Sequence, residues 1–287
     1  MRKWLKKHLV NLILFMIILV GLGLLAYPTF ADWWNSFHQS RAIQSYATAV
    51  SNLDREEYDR IIKEAEDYNR RLTKTGALWS MKDEEIREYN RILAIDESGI
   101  MGYIDIPKIN VRLPLYHGIE DRVLEVAIGH IAGTSLPVGG EGSHCVLSGH
   151  RGLPSARLFT DLDKIVEGDT WTLTVLDRTY TYECDQIRVV EPTDLSALAI
   201  EEGKDYCTLV TCTPYGVNSH RLLVRGHRIA NASGEANVIA DAILIESVYI
   251  APFIAVPMLV VLIIEMLIVT GRRRRKKAAV EALKREV

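Results

Sequence analysis

The run TLVTC at residues 208–212 has the β-branched character of a strand and stops on Cys212, with Pro214, His220 and Arg221 close behind. A buried structural cysteine needs no such company; a cysteine that must act as a thiolate does. Such a nucleophile calls for a nearby positive charge, a proton carrier for the leaving group, and donors aimed at the oxyanion of an attacked carbonyl. At a strand end the thiol is held rigidly yet stays accessible, and Pro214 cannot donate to a ladder, so the chain leaves the sheet there. The candidate bases are His117, His130, His144, His150 and His220. His150, in VLSGHRG, repeats the pattern of an apolar strand ending on a reactive group, with Gly149 and Gly152 allowing close approach. Each histidine alone reads more readily as structural. Two strand ends, one carrying Cys and the other His, make a stronger signal than either. Arg221 and Arg225 share a face of the following strand by its period of two, and either permanently charged guanidinium could hold an oxyanion. Spacing does not choose between them.

These residues must be positioned by a sheet. From residue 99 onward, short β-like segments (GYIDIP, HCVLSGH, TWTLTV, TYTYEC, YCTLVTC and RLLVRG) alternate with Gly- and Pro-marked turns, which predicts a barrel or sandwich. SARLFTDLDKI and LSALAIEEG read as short helices between them. Ahead of the strands, residues 40–72 place apolar side chains three and four apart with charges between. That is an amphipathic helix, in two pieces broken near Asn52-Leu53-Asp54.

The 287 residues carry a net charge of −3, unevenly placed. Arg2, Lys3, Lys6 and Lys7 precede an apolar run over 9–26, long enough to cross a hydrocarbon core of about 30 Å. A cleaved signal peptide ending at Thr29-Phe30-Ala31 is the rival reading, but its apolar region is usually shorter, about 7–15 residues. A second apolar run over 248–271 leads into RRRRKK, so both basic flanks fall on one side of the bilayer, the cytoplasm by the positive-inside rule. Coming directly after a spanning segment, the RRRRKK run marks topology and not a nucleic-acid patch. Cys145, Cys184, Cys207 and Cys212 all lie in the exterior part, at spacings that match no C-x-x-C metal motif. His144, Cys145 and His150 likewise lack zinc-ligand spacing.

GYIDIPKINVRLPLYHG, GHIAGTSLPVGGEGSHCVLSGHRGLPSARLFTDLDKI and TLVTCTPYGVNSHRLLVRGHRI together resemble a sortase of class C, the pilus-assembling kind, over about 99–229. The resemblance implies a closed, mixed, eight-stranded β-barrel with short helices, preceded by helices and flanked by two membrane spans. It implies Cys212 as nucleophile, His150 as general acid/base and Arg221 as the oxyanion and substrate-orienting residue, with no cofactor or metal. The implied reaction cleaves an LPxTG-like sorting signal of a secreted protein between Thr and Gly and passes the acyl group to a pilin lysine. The alternatives are a housekeeping-type sortase attaching proteins to peptidoglycan, and a non-catalytic membrane scaffold.

The resulting organisation has six parts. Residues 1–31 are a basic N-terminus and membrane anchor (or signal peptide), 32–98 an exterior helical segment, and 99–230 the catalytic barrel. Residues 231–247 form a linker, 248–271 a second membrane helix and 272–287 a basic cytoplasmic tail. Class C members carry a lid with an Asp-Pro-aromatic motif; no Asp-Pro pair precedes residue 99, and Trp79 in TKTGALWSMKD is the candidate for a weaker lid over Cys212. Cys145 and Cys207 precede His150 and Cys212 by equal steps, so parallel neighbouring strands would set the two thiols level on the face opposite the active-site side chains. Two free buried thiols are the expectation, because adjacent parallel positions seldom suit a disulfide.

Overall fold

The computed structural model describes residues 2–231. The second apolar run and the basic tail expected after it lie outside the described residues, as does all but the first residue of the expected linker.

Helix α1 runs unbroken from Arg2–Ser51, with Pro28 inside it. From Ile13 to Leu25 its large apolar side chains are exposed around the helix, a pattern suited to lipid and not to a one-sided core. Among the described residues, this is the one helix long and apolar enough to cross a membrane. Its second half is different: Ile43 and Tyr46 are buried against the strands. The Tyr46 hydroxyl donates to Met101 O at 2.9 Å and accepts from Leu176 N at 2.8 Å. The expected break falls where it should. α1 stops at Ser51, and Asp54 caps α2 (Arg55–Thr75) by accepting from Glu57 N at 2.8 Å. What periodicity did not disclose is that the apolar span and the first amphipathic piece are a single helix.

α2 buries Ile61, Ile62, Ala65, Tyr68, Asn69 and Leu72. The buried Asn69 amide is fully used: it donates to Leu136 O (3.0 Å) and Gly139 O (3.3 Å) and accepts from Leu136 N (2.7 Å). A short helix α3 (Asp83–Arg91) follows and buries Tyr89.

The strands are β1 (Ile100–Ile106), β2 (Val111–His117), β3 (Ile128–His130), β4 (Ser143–Ser148), β5 (Thr170–Val175), β6 (Arg178–Val190), β7 (Asp205–Thr213) and β8 (His220–Ile229), with a one-turn helix α4 (Asp121–Leu124) between β2 and β3. They close into a barrel in the order β1-β2-β3-β4-β7-β8-β6-β5. β2–β3 and β4–β7 are parallel and the remaining pairs antiparallel, the expected mixed barrel. β2 escaped the reading of strand segments because Pro114 sits inside it. Its pairing with β3 begins only at Leu115, so Pro114 lies where that side of the ladder is open. β3 is too short to show a period. The two segments expected as helices are turns carrying single 3-10 stretches, Leu162–Lys164 and Ser196–Leu198.

Alternation sorts the side chains. On β4 and β7, Cys145, Leu147, Cys207 and Leu209 point into the barrel core with Trp171, Tyr182 and Val224. Gly226 is glycine because the Trp171 ring lies 2.6 Å from where its Cβ would be. The intervening positions face outward, and the candidate chemistry lies on that face.

Candidate active site

β7 and β8 pair antiparallel with Cys212 directly opposite Arg221. β4 pairs parallel with β7 in the register Ser148↔Val210. Beyond the ladder, Gly149 N donates to Val210 O at 3.1 Å and Thr211 Oγ1 donates to Gly149 O at 2.8 Å. The same register carried two residues on sets His150 level with Cys212. Both belong to the outward face, since His144, Val146 and Ser148 alternate with the core residues of β4 as Thr208 and Val210 do on β7. Three residues far apart in sequence therefore converge on one end of the barrel: a half-buried thiol, a half-buried imidazole and a half-buried guanidinium.

Their partners set the two arginines apart. Arg225, opposite Thr208, forks onto Asp185 at 3.0 and 3.1 Å, lies 3.6 Å from Glu201 and covers the Tyr206 ring at 4.1 Å. It is committed to structure. Among the described residues, Arg221 Nη1 donates to two backbone carbonyls, Asn218 O at 3.2 Å and His220 O at 3.1 Å. Those bonds orient the guanidinium at the mouth of the site without neutralising its charge.

The other histidines are accounted for similarly. His130 is fully buried, its ring between the Tyr89 hydroxyl (3.0 Å) and Ser135 O (2.8 Å), and burial pushes it down to about 4. His117 has its ring nitrogens 2.7 Å from Ile92 O and 3.1 Å from Gly99 O, and burial again favours its neutral form. His144, also lowered by burial, lies 2.8 Å from Ala199 O and 2.7 Å from Thr208 Oγ1. It straps the β6–β7 connection to the outward face. His220 pairs opposite Thr213, out of phase with Cys212, and its ring lies 2.9 Å from Ser219 Oγ.

Trp79 is not brought to this cluster. It is 42 % exposed, next to Leu78, whose N donates to Gly133 O at 2.8 Å. The 131–135 turn flanks β4 between His144 and Val146. At roughly 3.3 Å per strand residue, that is some 13–20 Å short of the level of His150.

Two residues that spacing did not single out do touch the site. Arg151 is half-buried, donates to Thr213 Oγ1 at 3.3 Å and to Asp163 at 2.5 Å, and faces the Tyr215 ring at 6.0 Å. It joins the loop after His150 to the loop after Cys212. Tyr215 packs over Gly152, whose Cβ would lie 2.8 Å from the ring. Only the adjacency of Arg151 to His150 could have pointed to it.

Leading away from Cys212, Val146, Val210 and Leu223 are buried together with Leu198 of the β6–β7 connection, bordered by Ile131, Val190 and Ala197, so that connection covers this part of the outward face. A peptide carbonyl brought to this end of the barrel would meet a thiol, a guanidinium opposite it, and an imidazole just past the end of the neighbouring strand. That is the equipment for acyl transfer through a thioester. Among the described residues no group of His, Cys, Asp and Glu could hold a metal. Cys145 and Cys207 are register partners, buried and unbridged; burial and the neighbouring Cys207 thiol both raise Cys145.

Residues 104–229 match the family model described as the sortase domain. Sortase D of Bacillus subtilis is 30 % identical over 131 residues, 45 % of this chain, which spans 63 % of that relative's length. Among solved structures, sortase C1 from Streptococcus agalactiae is similar at 57 % identity with a TM-score of 0.66, covering 67 % of this chain and 99 % of that one. Sortase C of Clostridium perfringens, solved with the C-terminal cell wall sorting motif, is 42 % identical at a TM-score of 0.59, covering 67 % and 99 % of the two chains.

Proposed function

Because the chain belongs to the sortase family of cysteine transpeptidases, we propose that it cleaves an LPxTG-like sorting signal at Cys212 and transfers the acyl group to a pilin lysine. The Cys212 Sγ attacks the Thr carbonyl carbon, and the guanidinium of Arg221 holds the oxyanion that forms. As the Thr–Gly C–N bond breaks, His150 delivers a proton to the departing amine. The acyl-enzyme is a thioester. A lysine amine of the next subunit then attacks it, giving its proton to His150 while Cys212 leaves as the thiolate. The reading is carried by one observation, the direct opposition of Cys212 and Arg221, with His150 two residues past the end of the strand that pairs beside Cys212's own. Likeness to class C structures, one of them solved with a cell wall sorting motif, supports the sorting-signal substrate.

α1 supports anchoring in a membrane through residues 9–26, with the N-terminus cytoplasmic and the barrel outside. The second span and cytoplasmic tail complete the same reading. The function is tested by offering the full chain an LPxTG-type peptide together with a lysine-bearing pilin and, separately, a peptidoglycan cross-bridge amine. Conjugation to the lysine is expected. Conjugation to the cross-bridge alone would make it a wall-attaching enzyme, and no conjugation to either would remove the transferase reading.

A further inference from the structure

The way α1 is fastened to the barrel fixes which end of the barrel meets the bilayer. After the apolar run ends at Ala26, the next charged residue is Asp32, about 9 Å further along a helix rising 1.5 Å per residue. Between and just beyond them lies an aromatic band. Tyr27, Phe30, Trp34 and Phe37 are each half exposed, and Phe30 packs against Trp33 at 5.7 Å and against Trp34 at 6.4 Å. Aromatic rings in that position settle at the headgroup level of a membrane.

In this same stretch α1 is tied to the catalytic loops. Asp32 Oδ1 accepts from Arg157 N at 2.8 Å, and Asn35 Nδ2 donates to Ser155 O at 2.8 Å. Both partners belong to the loop that begins with His150 and Arg151. Gln39 Nε2 donates to Val126 O at 2.6 Å, just ahead of β3. Tyr46 is tied to Met101 O and Leu176 N, at the opposite ends of β1 and β5 from the 155–157 loop. Asp32 and Tyr46 are about 21 Å apart along the helix, so two separated attachments set its direction along the barrel. The membrane end of α1 is the catalytic end.

That end also carries exposed apolar side chains. Val126 (41 % exposed) adjoins the Gln39 attachment, and Tyr215 (61 %) and Val217 (69 %) lie on the loop between Cys212 and Arg221. We propose that the catalytic rim faces and contacts the lipid headgroup layer, so that this enzyme acts on peptides held within a short distance of the bilayer it is anchored in. The inference rests on reading α1 as a membrane anchor.

The full chain, carrying Cys212→Ala to leave only buried native thiols, is reconstituted in vesicles containing lipids with a nitroxide on the headgroup. A dye is attached at Val217→Cys on the rim or at Glu141→Cys, an exposed site at the far end of β4. Quenching several-fold stronger at 217 than at 141 is expected. Co-flotation with the vesicles but equal quenching, or stronger quenching at 141, overturns the orientation alone. Failure to co-float overturns the anchor and the orientation with it. A second measurement inserts a flexible Gly-Ser segment between Ala31 and Asp32 in the otherwise native chain. Turnover of a soluble peptide should be unchanged, while turnover of a peptide tethered to the bilayer by a short linker should change at least several-fold. An unchanged ratio of the two rates would contradict the proposal.

Discussion

Adding one methyl group at Gly149 tests whether the placement of His150 governs the rate. The Cβ of an alanine there would lie 2.7 and 2.9 Å from two atoms of the Phe159 ring and 3.1 Å from Ile128 Cγ2. Carbon atoms rest at about 3.5–4.0 Å, so roughly 1 Å must be found. Phe159 is fully buried and its N donates to His150 O at 3.1 Å, so the ring has little room to retreat and the His150 backbone must share the shift. Overpacking of this kind costs about 1–3 kcal/mol, and a 1 Å displacement of a reacting group costs on the order of 10²-fold in rate. Gly149→Ala should therefore lower kcat/KM for a fluorogenic sorting-signal peptide by about 10–100-fold, with a modest loss in denaturation midpoint. Phe159→Leu in the same chain makes space, so the double variant should recover much of the rate although its stability does not recover. Gly149→Ala turning over within about twofold of the parent, or a double variant no faster than the single, would refute the reasoning.

Arg221→Ala should cost about 10²-fold in rate while leaving stability nearly unchanged. Arg225→Ala should do the reverse, losing about 1–3 kcal/mol as half-buried Asp185 is left unpaired; parallel kinetic and urea-denaturation measurements separate the two. His130 supplies a pH dependence. Its folded value of about 4 lies below its ordinary 6.5, so the unfolded chain binds the extra proton between them. Stability is complete above about 6.5 and falls as pH drops toward 4, by an amount on the order of 3 kcal/mol. Urea unfolding of the detergent-solubilised chain should show this slope, and His130→Gln should flatten it. Titration of denatured, unreduced protein should find all the cysteines free, including Cys145 and Cys207; a missing pair of thiols would show a bridge that the structure lacks.

The candidate site could be proposed from the sequence because two unlike signals, an apolar strand stopping on Cys212 and another stopping just before His150, carry their own chemistry. Their adjacency could not, since the parallel pairing of β4 with β7 depends on long connections with no local code. The choice between Arg221 and Arg225 was closed to spacing for a similar reason. What sets Arg225 apart is Asp185, across the β6–β8 ladder, and Glu201 on a loop, both of which pair with it. Trp79 shows the converse error of inference: an apolar residue in a polar stretch needs a neighbour, but composition does not say which one. Here its own segment is anchored by Leu78 at Gly133. The single helix α1 was hidden because a lipid-facing run and an amphipathic one have different patterns, and a continuous backbone leaves no mark at their join.

The central claim, that Cys212 forms the covalent intermediate, is tested most directly by intact-protein mass after mixing the full chain with an LPxTG-type peptide and no amine acceptor, then quenching in acid. An added mass equal to the peptide through its Thr, mapped to Cys212 and released by hydroxylamine, is expected, with the Gly-bearing fragment free in solution. An adduct mapped to another residue, or undiminished cleavage by Cys212→Ala, would contradict it.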